Sequence, residues 1–199
     1  MAEKAKKTKT KKAEEKPVKV DKSKRLSPEE VVKYFKDEFK TKILKAEIKR
    51  RATGLKKKEF VNIWIKIDKS IFKPVVKHLC DLTFPHLAVT SGSDLGKTIE
   101  LTYHFSIYFG QYLEEISLNI AVELPKSKPE IETICDYIPG ALITEREKQE
   151  MLGIKVIGIP DTRRLFLPDD FPKDVYPWRK DEKGLEPYIR NLHDEVKKK

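Results

Sequence analysis

The alternation of apolar and polar positions gives the chain two textures, which meet near residue 125. Leu26 precedes Ser27-Pro28-Glu29-Glu30, a capping box. Ser27 stands at the N-cap, Pro28 opens the first turn, and Glu30 reaches back to an orphan backbone donor. Leu26 can staple onto Val31. Val32, Phe35 and Phe39 follow at helical spacing, so residues 28–40 read as one amphipathic helix. Leu44, Ala46 and Ile48 then alternate with charged residues. After a Thr53-Gly54 turn, Val61, Ile63, Ile65 and Ile67 alternate more strongly, and both runs read as strands. Asp68 or Ser70 is the expected cap of a second helix, with Val75, Val76, Leu79 and Leu82 on its apolar side. Residues 87–89 and 98–108 look like a strand pair around a Gly-rich turn, and 116–124 like a last strand ending at Pro125.

This order predicts an α+β class: a two-layer domain over residues 26–125, with helices on one face of a mixed sheet. Residues 126–199 read differently. Two short helical stretches are expected within 130–152, the second running 144–152 with Thr144 as its cap and Glu145 and Glu147 near its positive end. From Gly153 onward Pro and Gly recur, at Gly158, Pro160, Pro168, Pro172, Pro177, Gly184 and Pro187. So long a run without periodic structure predicts an extended C-terminal arm that packs against something else. A final short helix is expected from Glu186 to about Val196.

Charge adds a third region. Residues 1–25 hold eleven Lys or Arg against four Asp or Glu, a surplus of seven in a chain whose net charge is +10. The basic character therefore belongs mainly to a tail. Val18 and Val20 are its branched aliphatics, too few to order it, so 1–25 reads as disordered. Such a tail suits anionic partners, and a nucleic-acid-binding protein working through it is the alternative reading. The folded part carries no recognised nucleic-acid signature, so no nucleic acid is expected there. Lys and Glu abound while Gln and Asn number two and three, a balance that fits a heat-adapted source. No apolar run approaches the length of a membrane span, and the first residues lack the apolar core of an export signal.

The chemistry of an independent active site is sparse. Gly92-Ser93-Asp94-Leu95-Gly96-Lys97-Thr98 resembles a phosphate-binding loop. Its glycines are separated by three residues where that loop needs four between them, and it leads into a strand pattern where that loop needs a helix. It reads as a hairpin turn. His78, His86, His104 and His193 show no ligand spacing, and Cys80 and Cys135 read as small core residues, with a disulfide possible in a hyperthermophile. Catalytic, cofactor-binding and metal residues are expected to be none.

The informative stretch begins at Glu145-Arg146-Glu147 and continues through Met151-Leu152-Gly153-Ile154 to Gly158-Ile159-Pro160-Asp161-Thr162-Arg163-Arg164-Leu165-Phe166-Leu167-Pro168-Asp169-Asp170. Arginine forks take carboxylates bidentately and tolerate burial. Arg146, Arg163 and Arg164 could thus lock the arm to the domain or to acidic groups of a partner. Apolar residues interleaved with arginine anchors are the chemistry of an interface.

With Pro177-Trp178-Arg179-Lys180-Asp181, these motifs resemble the signature of a complex I family, the 30 kDa-type subunit of respiratory-chain NADH dehydrogenase. That family extends to the matching subunits of membrane-bound [NiFe] hydrogenases and sulfur-reducing complexes. The likeness runs from about residue 74 to residue 181. Leu152 replaces an aromatic the family favours and Glu150 keeps its acidic position, while Ile159 stands where a histidine is usual. The last change argues against a standard bacterial or mitochondrial NADH enzyme. It leaves the branch open, and the heat-adapted composition turns the expectation toward an archaeal, ferredoxin-linked relative.

The resemblance implies a non-catalytic structural subunit of a peripheral arm, on the cytoplasmic side of the cell membrane and attached through other subunits. It would clasp a large catalytic subunit, beside a small iron–sulfur subunit, in a hetero-oligomer coupling electron transfer to ion translocation. Iron–sulfur clusters, and NiFe where present, would belong to those partners. The implied interface residues are Glu145, Arg146, Glu147, Met151, Gly153, Pro160, Asp161, Arg163, Arg164, Leu167, Pro168, Asp169, Asp170, Trp178 and Arg179.

Overall fold

A computed structural model of the chain describes residues 25–55, 57–110 and 114–180. The expected Lys-rich tail (but for Arg25), the helix expected at 186–196 and Asp181 of the signature lie outside these residues. The first helix, α1 (Pro28–Phe39), starts as its capping box dictates: the Glu30 carboxylate accepts from Ser27 N–H at 2.7 Å, and Glu30 N–H donates to the Ser27 hydroxyl at 3.2 Å. Two antiparallel strands follow, β1 (Ile43–Thr53) and β2 (Lys58–Ile67), turning at Gly54, whose φ of 75° suits a glycine. Asp68 accepts from Ser70 N–H and caps a short 3₁₀ turn leading into α2 (Phe72–Leu82). Three antiparallel strands complete the sheet: β3 (His86–Asp94), β4 (Thr98–Ile107) and β5 (Ile116–Pro125).

The spatial order is β1-β2-β5-β4-β3, with β2 and β5 parallel and every other pair antiparallel. The sheet is therefore mixed, and the α+β class stands. One face carries Ile63, Ile65, Leu101, Tyr103, Phe105, Leu118 and Ile120, all at most 1% exposed. Val31 and Phe35 of α1 and Phe72, Val75, Val76 and Leu79 of α2 fill in against it, and the Phe72 and Tyr103 rings meet at 4.6 Å. The opposite face is polar. There His104 bonds Asn119 at 2.6 Å and Ser91 at 2.8 Å, and Lys66 sits between Glu100 and Glu123.

The phosphate-loop look-alike is a hairpin turn between β3 and β4, its Gly96 N–H held by Asp94 at 2.7 Å. Gly92, however, is a strand residue, because β3 runs on to Asp94. A Cβ at Gly92 would lie 2.4 Å from the buried Leu152 side chain, so the bare glycine lets a third helix, α3 (Ala141–Leu152), lie close upon β3. This helix covers the same apolar face, and Ile131, Ile134, Ile138, Leu152, Ile154 and Val156 join the one core cluster.

Two local expectations need correction. In place of a first short helix within 130–152, β6 (Glu130–Glu132) pairs in parallel with β7 (Lys155–Ile157), and a turn at 134–138 follows β6. Helix α3 also begins three residues before Thr144, behind Gly140, and Thr144 donates to the Ala141 carbonyl from inside it. The cause is Ile138 and Ala141, both buried, whose packing extends the helix backward past its polar cap candidate.

Asp94 anchors the end of β3 and carries a prediction. Its side chain is fully buried. Burial would raise its pKa, but the Lys126 ammonium at 2.6 Å and the N–H groups of Gly96 and Lys180 outweigh that and hold it at about 2. A carboxyl depressed on folding contributes stability above its ordinary value near 3.8 and loses it as pH falls toward the folded value. Asp94→Asn should therefore cost about 2 kcal/mol at neutral pH. It should also flatten the loss of stability between about pH 4 and 2, as urea unfolding across that range would record.

Candidate functional site

Helix α3 and the arm behind it are joined by a dense set of polar contacts. The first signature residue, Glu145, is 1% exposed and points into the fold. Its carboxylate accepts from the Thr133 hydroxyl at 2.6 Å, from Ile134 N–H at 3.0 Å and from the Cys135 thiol at 3.3 Å. Burial raises its pKa, and the three donors oppose the rise. Burial also pushes the Cys135 thiol up to about 11, the state of an inert core cysteine; both Cys80 and Cys135 are free thiols. Glu145 ties the turn after β6 to α3.

One position along, Arg146 faces the arm. Its guanidinium donates to the carbonyls of Arg163 and Arg164, each at 2.9 Å, and pairs with Asp161 at 3.3 Å. Arg163 folds back on the same Asp161, whose carboxyl its guanidinium holds well below the usual range. One turn beyond Arg146, Glu150 gathers three successive backbone donors, Leu165 and Phe166 on Oε2 and Leu167 on Oε1, at 2.6 to 3.1 Å. Such a ring of N–H groups around an anion is a nest. Arg164 in turn donates to the carbonyls of Pro168 and Phe171 at 2.6 and 2.8 Å. The cleft between α3 and the arm, about 250 Å³, is lined by Arg146, Glu150, Arg163, Arg164, Leu167 and Tyr176.

The final leg of the arm closes on the C-terminus of α3. Gly153 caps the helix in the left-handed region, φ 64°, and Tyr176 covers it so closely that a Cβ would lie 2.5 to 2.7 Å from ring atoms. Trp178 N–H donates to the Met151 carbonyl at 3.0 Å. Arg179 donates to the carbonyl of Leu152 at 2.7 Å and stacks over Tyr176 at 4.5 Å. Lys148, 3% exposed, pairs with Glu147 and lies 4.5 Å above the Trp178 ring. Gly153→Ala meets both strain and collision. It should cost about 1–3 kcal/mol in thermal unfolding and make the 161–179 backbone more accessible to limited proteolysis.

Together these charges satisfy a backbone that has no regular ladder. A buried or half-buried strand-less segment must place its N–H and C=O groups somewhere, and Glu150, Arg146, Arg164 and Arg179 supply the places. Arg146 takes the first of its two possible roles and ties the arm to α3, whereas Arg164 braces the arm internally through the Pro168 and Phe171 carbonyls. Arg146, Asp161, Arg163, Arg164 and Leu167 come together at the cleft, and Met151, Gly153, Trp178 and Arg179 at the helix end. Glu145 stands apart, inward, and Glu147 is taken by Lys148. Pro160, Pro168, Asp169 and Asp170 are exposed. Facing outward on this framework are Phe166, 60% exposed, Ile143, 51%, and Trp178, 42%. The exposed Arg163 joins them.

Sequence reasoning passed over Gly92, Asp94, Glu150 and Tyr176 as functional positions. Glu150 had a signal, since it lies one helical turn from Arg146 and shares its face. Asp94, two residues before Gly96, had the signal of a side-chain-capped turn. Nothing marked Gly92 or Tyr176, because each matters through an approach between distant segments. Among the described residues, no three His, Cys, Asp or Glu side chains converge as metal ligands would.

Known proteins resemble this chain. The family model described as respiratory-chain NADH dehydrogenase, 30 Kd subunit, matches residues 65–188. The membrane-bound hydrogenase subunit beta of Pyrococcus furiosus is 36% identical over 131 residues, which are 65% of this chain and 75% of that one. The formate hydrogenlyase subunit 5 of Escherichia coli is 38% identical over 98 residues, 48% of this chain but 17% of that much longer one. Among solved structures, a chain of the membrane-bound sulfane sulfur reductase, an archaeal respiratory membrane complex, superposes with a TM-score of 0.59 at 20% identity, over 85% of this chain and 89% of that one. The last likeness is one of fold.

Proposed function

The chain belongs to the family of the 30 kDa subunit of respiratory-chain NADH dehydrogenase, and from that membership we propose that it is a non-catalytic structural subunit of a membrane-bound hydrogenase or sulfur-reducing relative. Its role is to clasp the large catalytic subunit through α3 and the arm, within a hetero-oligomer that also holds the small iron–sulfur subunit. Electron transfer and its coupling to ion translocation run through those partners, which hold the clusters and any NiFe centre, while this chain contributes rigidity. No helix among the described residues is long and apolar enough to cross a membrane. In this reading the subunit joins the peripheral arm on the cytoplasmic side by way of its neighbours.

The observation that carries this reading is the division of labour in the arm. Arg146 and Glu150 of α3 and Arg164 and Arg179 of the arm are used internally, on backbone groups, and Phe166, Trp178 and Ile143 are left facing outward beside exposed Arg163, Asp169 and Asp170. A preorganised segment with exposed aromatic anchors loses little entropy on docking. The formate hydrogenlyase relative supports the choice of a large partner, since there a stretch like this one is a small part of one much longer chain.

Lysine-directed cross-linking of native membranes, read by mass spectrometry, tests the surface. Exposed Lys155, Lys173 and Lys180 flank the arm, whereas Lys45, Lys49 and Lys58 lie on β1 and β2. Links from the first group to a large oxidoreductase subunit are expected. Links to that subunit from the second group alone would place the docking surface elsewhere.

A further inference from the structure

The end of the sheet at which β3 begins and β4 finishes is crossed by one row of paired residues, Lys49, Asn62, Ser117, Ser106 and His86. Beyond that row the strand ends and their connections hold apolar side chains outward. Leu55, in the turn between β1 and β2, is fully exposed, and Phe84, Phe60 and Phe109 are 69%, 53% and 45% exposed. Basic residues stand among them. From 49 to 58 the sequence carries six Lys or Arg and no Asp or Glu, and Arg25, Arg51 and Lys57 are exposed. We infer that this end of the sheet rests on an anionic lipid surface, with Leu55 and the phenylalanines in the headgroup layer and the cations on lipid phosphates.

Three observations favour lipid. First, the hairpin projects. β2 begins to pair with β5 at Val61, so residues 51–53 and 58–60 run on as a two-stranded ribbon, roughly 10 Å beyond the sheet. A convex ribbon offers a protein partner little of the area that a stable interface needs, whereas a fluid surface yields to it. Second, the chemistry is layered: Leu55 at the apex, Lys57 and Lys58 behind it, Phe60 and Arg51 behind those. An interfacial anchor has that order, apolar tip first and long cations reaching back to phosphate. Third, nearby carboxylates are offset. Glu59 pairs with Arg50 at 3.5 Å, Glu115 accepts from the Ser106 hydroxyl, and Arg25 stands beside Glu114, donating to its carbonyl at 3.0 Å. Lysines on an edge strand commonly guard it against pairing, but a guard does not call for a bare leucine at its apex. The clasp lies elsewhere: Lys180 of the arm is held by Asp94, at the opposite end of β3, roughly 27 Å from His86. The two contacts can form together, and neither depends on the other.

Sedimentation of the purified full chain with phosphatidylglycerol vesicles tests the inference. Residues 1–24 are the same in every variant, so differences between variants report the sheet end. Wild type should bind phosphatidylglycerol and leave phosphatidylcholine vesicles free. Arg51→Gln with Lys57→Gln should weaken partitioning about 25-fold at low salt, about fivefold for each cation, and the difference should shrink as salt rises. Leu55→Ser should weaken it roughly tenfold and keep that difference in salt. All three positions are exposed, so thermal midpoints should stay those of wild type. Variants that partition like wild type would overturn the inference by assigning the binding to the N-terminal segment. Equal binding to phosphatidylcholine would overturn it too, as would single-stranded RNA that displaces the chain from vesicles and needs the same residues.

Discussion

Replacing Glu145 with alanine should lower the unfolding free energy by about 3 kcal/mol or more, the largest single loss expected from the signature residues. The carboxylate is 1% exposed, and its removal strands the Thr133 hydroxyl and the Ile134 N–H in the core, where neither finds water. Denaturant titration measures the loss, and a change below about 1 kcal/mol would mean that the turn after β6 can satisfy itself. The isosteric Glu145→Gln has a different signature. Burial makes the folded state hold the Glu145 proton more tightly than the unfolded state, whose pKa is near 4.5. The stability tied to that proton is full below about pH 4.5 and is lost as pH rises through the folded value. Glutamine has no such proton, so the variant should lose this slope while keeping the shape of the side chain. That sign is opposite to the one expected at Asp94.

The double variant Phe166→Ala, Trp178→Ala should do the reverse: fold normally and fail to assemble. Both side chains are exposed, so the free chain should keep its thermal midpoint to within a few degrees, apart from the Lys148–Trp178 contact, worth about 1 kcal/mol. If they are the anchors of the clasp, each truncation should weaken binding by roughly thirty-fold, the effect of about 2 kcal/mol. Co-purification from membranes measures it against the wild-type chain. Arg146→Ala is the informative contrast. It releases the carbonyls of Arg163 and Arg164 together with Asp161, so it should loosen the arm and weaken assembly as a consequence. A double variant that assembles like wild type would move the clasp off this face.

The sheet and its first two helices were legible in the sequence because their signals are local. A capping box, alternation over 61–67 and a hairpin turn within 92–98 each need a few neighbouring residues, and each formed, the turn tighter than read because β3 runs on to Asp94. What the sequence hid is non-local. Residues 130–132 are too few to display a period, and they become a strand through pairing with 155–157. Thr144 had the chemistry of a cap, but buried Ile138 and Ala141 carry the helix past it and turn Glu145 inward. Glu145 thus looked like a charge at a helix end and is instead the core acceptor for three donors. The signature arginines were visible as interface chemistry, whereas their targets, the carbonyls of 163, 164, 168 and 171, carry no mark in the sequence. Adjacent Arg163 and Arg164 illustrate the limit: in an irregular backbone one folds onto Asp161 at the surface and the other braces the arm beneath.

The most direct test of the clasp is affinity purification of the tagged full chain from membranes in mild detergent, with every co-purifying subunit identified and its metals quantified. The account predicts a large oxidoreductase subunit in equal amount with this chain, bringing iron with it, and nickel as well if the complex is a hydrogenase. A chain that purifies alone, folded and free of metal, would contradict it.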